Sequence, residues 1–226
     1  MMRYALLAGL FLAAGCLSPR AVAPPLVAGE PMAVPARHEM PGSVDAVLAA
    51  ARETVGVGSP RLDGAPVPTD CSGYLHALYR RARIDLFSES SPGDNGVRAM
   101  VRWVQRHGRI YRARLASPGD LVFFDNSYDR DGDGRLDDTL THAGLVEQVL
   151  ADGTLLIVHA TNHGIVREPM NLFHPHDTAD SSGRPINAPL RRKGPQDGPH
   201  TPHLMSELFA GFGAIFPAQP IAHSLD

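Results

Sequence analysis

Cys71 stands at the head of an apolar-periodic run, PTDCSGYLHALYRRARIDL from Pro68 to Leu86, and two of the chain's 11 histidines, His142 in LTHAGLVEQV and His159 in LIVHATNHG, fall in stretches of strand character. A cysteine, a histidine base and a third group to orient that base are the parts nucleophilic acyl transfer requires. A helix capped by Asp70 or Ser72 would place Cys71 where free backbone N–H groups and the positive end of the helix dipole lower a thiol's pKa. The same N–H groups, at Cys71 and Ser72, can hold the oxyanion of a tetrahedral intermediate. Two other readings of Cys71 are a small buried hydrophobe and half of a disulfide.

The disulfide reading depends on the only other cysteine, Cys16. Residues 1–16, MMRYALLAGLFLAAGC, carry a positive charge at Arg3, an apolar run from Tyr4 to Leu12 and small residues before the cysteine. That is the layout of an export signal, too short for a permanent membrane span. The ending LAAGC resembles the lipobox of bacterial lipoproteins, although Ala13 takes the place where that motif prefers Leu. The resemblance implies lipidation of Cys16, a membrane anchored through that lipid and, with Leu17 and Ser18 following and no Asp at the second mature place, the periplasmic face of the outer membrane. An ordinary cleaved signal is the alternative. In either case Cys16 is committed elsewhere, and the exported domain keeps one unpaired thiol in an oxidising setting.

Residues 17–42 hold six prolines among Ala and Val with no helical or strand period, which suits an extended tether. Residues 43–217, about 175 in all, are enough for one domain with a full core, and residues 218–226 form a short tail. A net charge of −3, a pI near 6.4 and no basic cluster longer than Arg191-Arg192-Lys193 argue against a nucleic-acid partner.

The elements that must position the three residues are legible in outline. Ser43 caps a helix with Val44, Val47, Leu48 and Ala51 on one face, ending near Gly56. A second helix from Asp70 or Ser72 points Tyr74, Leu75, Leu78, Tyr79 and Ala82 inward, with Arg80, Arg81 and Arg83 in its last turns. Val97, Met100, Val101 and Val104 mark a third, stopped by Gly108. The period then changes to that of strands at Leu121–Phe124, Ala143–Leu150 and Leu155–Ala160, the last two joined by Asp152-Gly153, with a final strand over Phe209–Phe216. Helices first and an antiparallel sheet afterwards define an α+β arrangement. His76 and His107 fit solvated helix positions, Trp103 and the Phe residues fit core, and His174, His176, His200 and His203 lie in a Pro/Gly/Asp-rich excursion from Met170 to His203 that suits a long loop better than a zinc site.

In order and spacing, DCSGYLHALY, SPGDLVFF (Ser117–Phe124), THAGLVEQV and IVHAT resemble the NlpC/P60 cysteine peptidases. The resemblance covers Asp70 to Thr161, less than half of the chain. It implies a papain-like fold with Cys71 as nucleophile, His142 as base and His159 as the orienting third residue. It also implies hydrolysis of amide bonds in the stem peptides of peptidoglycan, with no cofactor required for the chemistry. The tyrosine that the family often carries upstream of its cysteine has no counterpart in TVGVGSPRLDGAPVPTDC. Register raises a second question. A two-residue Asp152-Gly153 turn pairs His159 with Val146, on the same face as His142 but about 13 Å along the strand. Without a bulge, His163 is the residue opposite His142, which makes it the reserve third residue.

A further motif, NSYDRDGDGRLDDTLTH, precedes His142. Asp129, Asp131, Asp133 and Gly134 reproduce the start of an EF-hand-type loop, with the Arg135 carbonyl and Asp137 at its seventh and ninth places and Leu140 where a bidentate glutamate would stand. Five aspartates in ten residues repel one another without a cation, which favours a structural calcium ion over an ion-free acidic turn. Two functions therefore stand: a membrane-tethered cysteine endopeptidase or amidase acting on peptidoglycan peptides, and a catalytically silent papain-like lipoprotein that binds wall or partner through the same groove.

Overall fold

A computed structural model describes residues 43–194 and 197–217; the signal, Cys16, the tether and the C-terminal tail lie outside the described residues. Helix α1 spans Val44–Thr54, α2 Cys71–Arg80 and α3 Gly96–His107. Each begins at a side-chain cap: Ser43 accepts from the Ala46 N–H, Asp70 from Gly73 and Asn95 from Arg98. A two-stranded hairpin, β1 (Arg61–Leu62) and β2 (Ala65–Pro66), links α1 to α2. The remaining strands are β3 (Arg109–Tyr111), β4 (Leu121–Phe124), β5 (His142–Val149), β6 (Leu155–Thr161), β7 (Gly164–Met170) and β8 (Phe209–Ala214). They form one antiparallel sheet in the order β3-β8-β4-β5-β6-β7. The architecture is α+β, as the order of periods in the sequence implies.

Alternation along the strands separates two cores. Leu121, Phe123, Ala143, Leu145, Val158 and Ala160 pack against α1, α2 and α3. Val122, Phe124, Val146, Ile157 and Phe212 face the other way and meet Ala188, Met205 and Leu208. Residues 171–194 and 197–208 therefore cover the sheet's second face, which explains why all four residues of β4 are buried. The long loop expected there has no helix or strand of its own among the described residues, and its buried residues pack it on the sheet as a lobe. Buried Asn171 and Asn187 organise it: Asn187 Oδ1 accepts from the Asn171 N–H, and Asn187 Nδ2 donates to the carbonyls of His174 and Asp177. Strand β7, which carries no clean alternation, was not expected. His76 is half-buried and stacked on Phe87 at 4.3 Å, not solvated, because the chain after α2 folds back across it. Trp103 is only half-buried, at the edge of the helical core.

Register is where the structure departs most from a simple hairpin. Val149 pairs with Leu155 and Gln148 with Leu156, but beyond the shift Val146 pairs with Ile157 and Leu145 with Val158, leaving Glu147 as an extra residue in β5. A looser turn and this bulge together move β6 two residues relative to the tight-turn register. Glu147 is 4% exposed and lies between two guanidinium groups: Arg167 Nη2 donates to it at 2.8 Å, Arg167 Nε donates to its other oxygen, and Arg52 Nε of α1 donates at 3.2 Å. The extra residue thus has a buried charge with partners on α1 and on β7, which holds the bulge in place.

Candidate active site

Cys71 is the first residue of α2, and His142 the first of β5. Both line a cleft of about 530 Å³ at the end of the sheet, with Ser72, Gly96, Tyr128, Thr161 and Leu190 among its walls. Two helix starts converge there. A Cβ added to Gly96 would lie 2.2 Å from Ser72 Oγ, so the first turn of α3 fits against that of α2 only because residue 96 is glycine. The Asp70 carboxylate takes the Gly73 N–H at 2.8 Å and the Ser72 hydroxyl at 2.7 Å. Burial opposes its ionisation, but these hydrogen bonds hold Asp70 below the usual carboxylate value. The N–H groups of Cys71 and Ser72 sit close enough to the sulfur to favour a thiolate.

They do not prevail, however. Burial pushes the Cys71 thiol above its ordinary value, and the neighbouring Asp70 carboxylate adds to the rise, while the Ala143 N–H pulls the other way. The expectation of a thiol lowered by the helix start is corrected accordingly. A carboxylate cap that starts the helix also places a negative charge beside the sulfur. His142 is depressed well below the usual imidazole value, first by burial and second by the charge of His159. Both groups are consequently neutral at rest, a pair in which the imidazole has a free lone pair and the thiol keeps its proton.

His142 Nε2 lies 2.8 Å from His159 Nδ1, the two rings edge to face. Of the two candidates for the third residue, His159 occupies the position. His163 is exposed in the β6–β7 turn, where its N–H donates to Thr161 Oγ1, and it lines a neighbouring surface groove. The displaced register closes the gap that a tight hairpin would leave, and Gly144 supplies the space: a Cβ there would come within 2.6 Å of Ile157 Cγ2 and 3.4 Å of His159 Cβ. Outside the expected triad, His159 Nε2 lies 2.9 Å from Glu168 Oε2 on β7. Glu168 was not singled out from the sequence, because its relation to His159 exists only in the β6–β7 register, where Ile157 faces Glu168 and His159 faces Val166. The SPGD turn serves the same frame: Gly119 donates to the Val146 carbonyl and Val146 to that of Asp120, tying β4 to β5 beside the bulge.

From the segment 125–141, Ser127, Tyr128 and Thr141 line the cleft. Leu140, at φ +54°, donates its N–H to Asp125 Oδ1 and accepts from Asn95 Nδ2, so the residues just before His142 are tied to the cap of α3. Although the upstream stretch lacks a tyrosine, this loop brings Tyr128 to the cleft. Of the five expected metal ligands, Asp129 and Asp131 come together, and their third carboxylate neighbour is Asp138, not Asp133 or Asp137; oxygens of the three lie within 4.8 Å of one another. Asp133 and Asp137 instead flank the Arg135 guanidinium at 3.9 and 3.7 Å, and Asp133 Oδ1 accepts the Arg135 N–H. Asp129 accepts from Gly132 and Gly134, and Asp138 from the Arg130 N–H. Three hard oxygen donors at this spacing fit a calcium ion, in competition with Arg130 for Asp138. Comparison with protein-family models and with curated proteins finds no match for the chain.

Proposed function

We propose that the protein is a cysteine hydrolase of the NlpC/P60 type, with a papain-like fold, that cleaves amide bonds in peptidoglycan stem peptides. The observation that carries the reading is the 2.8 Å contact between His142 and His159 at the cleft that Cys71 lines. As the sulfur bonds to the substrate carbonyl, its proton passes to the free nitrogen of His142. The N–H groups of Cys71 and Ser72 stabilise the oxyanion. Collapse of the intermediate expels the amine, which takes the proton from His142 and leaves a thioester on Cys71. Water activated by the same imidazole then releases the acid and restores the thiol. Lipid at Cys16 would hold this domain on the periplasmic face of the outer membrane, beside the wall; incorporation of labelled fatty acid, lost in Cys16→Ala, checks that placement. We also propose that calcium orders the Asp129–Asp138 loop.

The test is digestion of purified sacculi, with released peptides identified by mass. The wild type is expected to release stem-peptide fragments and Cys71→Ser to release none; equal release by both would remove the nucleophile. One observation favours the silent, wall-binding reading: the thiol is raised and makes no hydrogen bond to His142, as an apo site often fails to do before substrate binds. Binding to sacculi with no release by the wild type would establish that reading instead.

A further inference from the structure

We infer that Glu168 is a positioning residue of the active site, acting through His159 to fix which nitrogen of His142 carries the proton. The inference deepens the hydrolase reading and rests on it. The chain of contacts runs from Glu168 Oε2 to His159 Nε2 at 2.9 Å and from His159 Nδ1 to His142 Nε2 at 2.8 Å. A carboxylate oxygen can only accept, so His159 carries its hydrogen on Nε2. A neutral imidazole has one N–H and one lone pair, so His159 Nδ1 is an acceptor. It therefore takes its hydrogen bond from an N–H at His142 Nε2. Nδ1 of His142 is left as the lone pair, the form of the ring that can remove a thiol proton. One acceptor-only group on β7 thus sets the tautomers of two histidines and aims basicity at the cleft.

Electrostatics point the same way. His159 is 1% exposed, and burial of His142 opposes the positive charge that it must take up during attack. Glu168, with its side chain 33% exposed, places a carboxylate at the far end of the relay, where it stabilises a cation on His142 while remaining solvated itself. Among the described residues, His142 and Glu168 are the titratable hydrogen-bond partners of the His159 ring. The sheet fixes the geometry: the seven-residue ladder from Leu155↔Met170 to Thr161↔Gly164 is unbroken, and places Glu168 diagonally across from His159 on one face.

Glutamine in place of Glu168 keeps the shape but removes the charge, and its amide can donate as well as accept, so the tautomers are no longer enforced. The experiment uses the full chain and no substrate: ¹⁵N NMR of the imidazole rings, and the rate of iodoacetamide alkylation at Cys71, mapped by peptide mass. In the wild type, both His142 and His159 are expected to be protonated at Nε2. Glu168→Gln is expected to populate the Nδ1–H forms and to slow alkylation at pH 7 on the order of 10–100-fold. The deficit should close at alkaline pH, where the thiol ionises unaided, a recovery that a merely structural defect would not show. Glu168→Asp should restore most of the rate. A wild-type His142 protonated at Nδ1 would overturn the inference without any variant, as would an unchanged alkylation rate in folded Glu168→Gln. Because no wall substrate enters these measurements, a failure to digest sacculi leaves their outcome intact.

Discussion

In the proposed triad, a distance singles out the third residue. His159 touches His142, whereas His163 sits in the turn beyond it. We therefore expect His159→Ala to lower kcat/KM about 10–100-fold, less than His142→Ala, and His163→Ala to leave it unchanged, as measured on wall peptides. The neutral resting pair also sets the pH response. With His142 depressed below its ordinary 6.5, the base remains unprotonated in mild acid, so kcat/KM should hold from pH 7 to about pH 5. Stability follows the linked sign: the unfolded chain takes up a proton on this residue near pH 6.5 and the folded chain does not. The melting temperature is accordingly expected to be highest above that value and to fall as pH drops below it. That Cys71 opens a helix and that His142 and His159 lie on strands was legible in the sequence. Glu168 was not, since nothing local to EPM marks it and only strand pairing brings it to His159. The thiol's pKa was misjudged for a related reason: the Asp70 that caps the helix, visible in the sequence, opposes the dipole it completes.

At the scale of elements, the His142–His159 contact depends on a two-residue displacement between β5 and β6, to which the Glu147 bulge contributes. Glu147→Gln should weaken the bonds to Arg52 and Arg167 and destabilise the fold by about 1–3 kcal/mol, with activity falling further than stability because the His142–His159 contact loosens. Gly144→Ala places a methyl against Ile157 and should cost about 1–3 kcal/mol through overpacking, with a similar loss of activity. Urea titration alongside kcat/KM separates the two effects. The aspartate loop ends four residues before His142 and carries Tyr128 into the cleft. Calcium on Asp129, Asp131 and Asp138 is therefore expected to raise the melting temperature, with modest affinity of roughly 10⁻⁴ to 10⁻³ M. Chelation should lower it, and Asp129→Asn with Asp131→Asn should abolish the difference; identical melting with and without millimolar calcium would reduce the loop to an acidic turn. The three helices and four of the eight described strands announced themselves through caps and periodicity. The bulge did not, because what holds it is a charge whose partners lie 95 and 20 residues away.

Across the whole molecule, a sheet covered on both faces brings three sources of side chains to one end. The helical layer presents Cys71, the sheet presents both histidines, and the lobe and loop outside it add Leu190 and Tyr128 to the walls. The lobe was the least legible part, since its Pro, Gly and Asp content resembles that of a solvated loop and its order comes from buried Asn171 and Asn187. The proposed nucleophile and base thus belong to different layers, and the proposed mechanism requires that α2 dock on β5 so that the free nitrogen of His142 reaches the sulfur of Cys71. The most direct measurement of that union is the alkylation rate of Cys71 by iodoacetamide between pH 6 and pH 10, in the wild type and in His142→Ala. The expected result is a wild-type rate about 100-fold higher near pH 7, with the two curves meeting once the buried thiol ionises on its own. Superimposable curves across the whole range, with both proteins folded, would show that His142 does not activate Cys71.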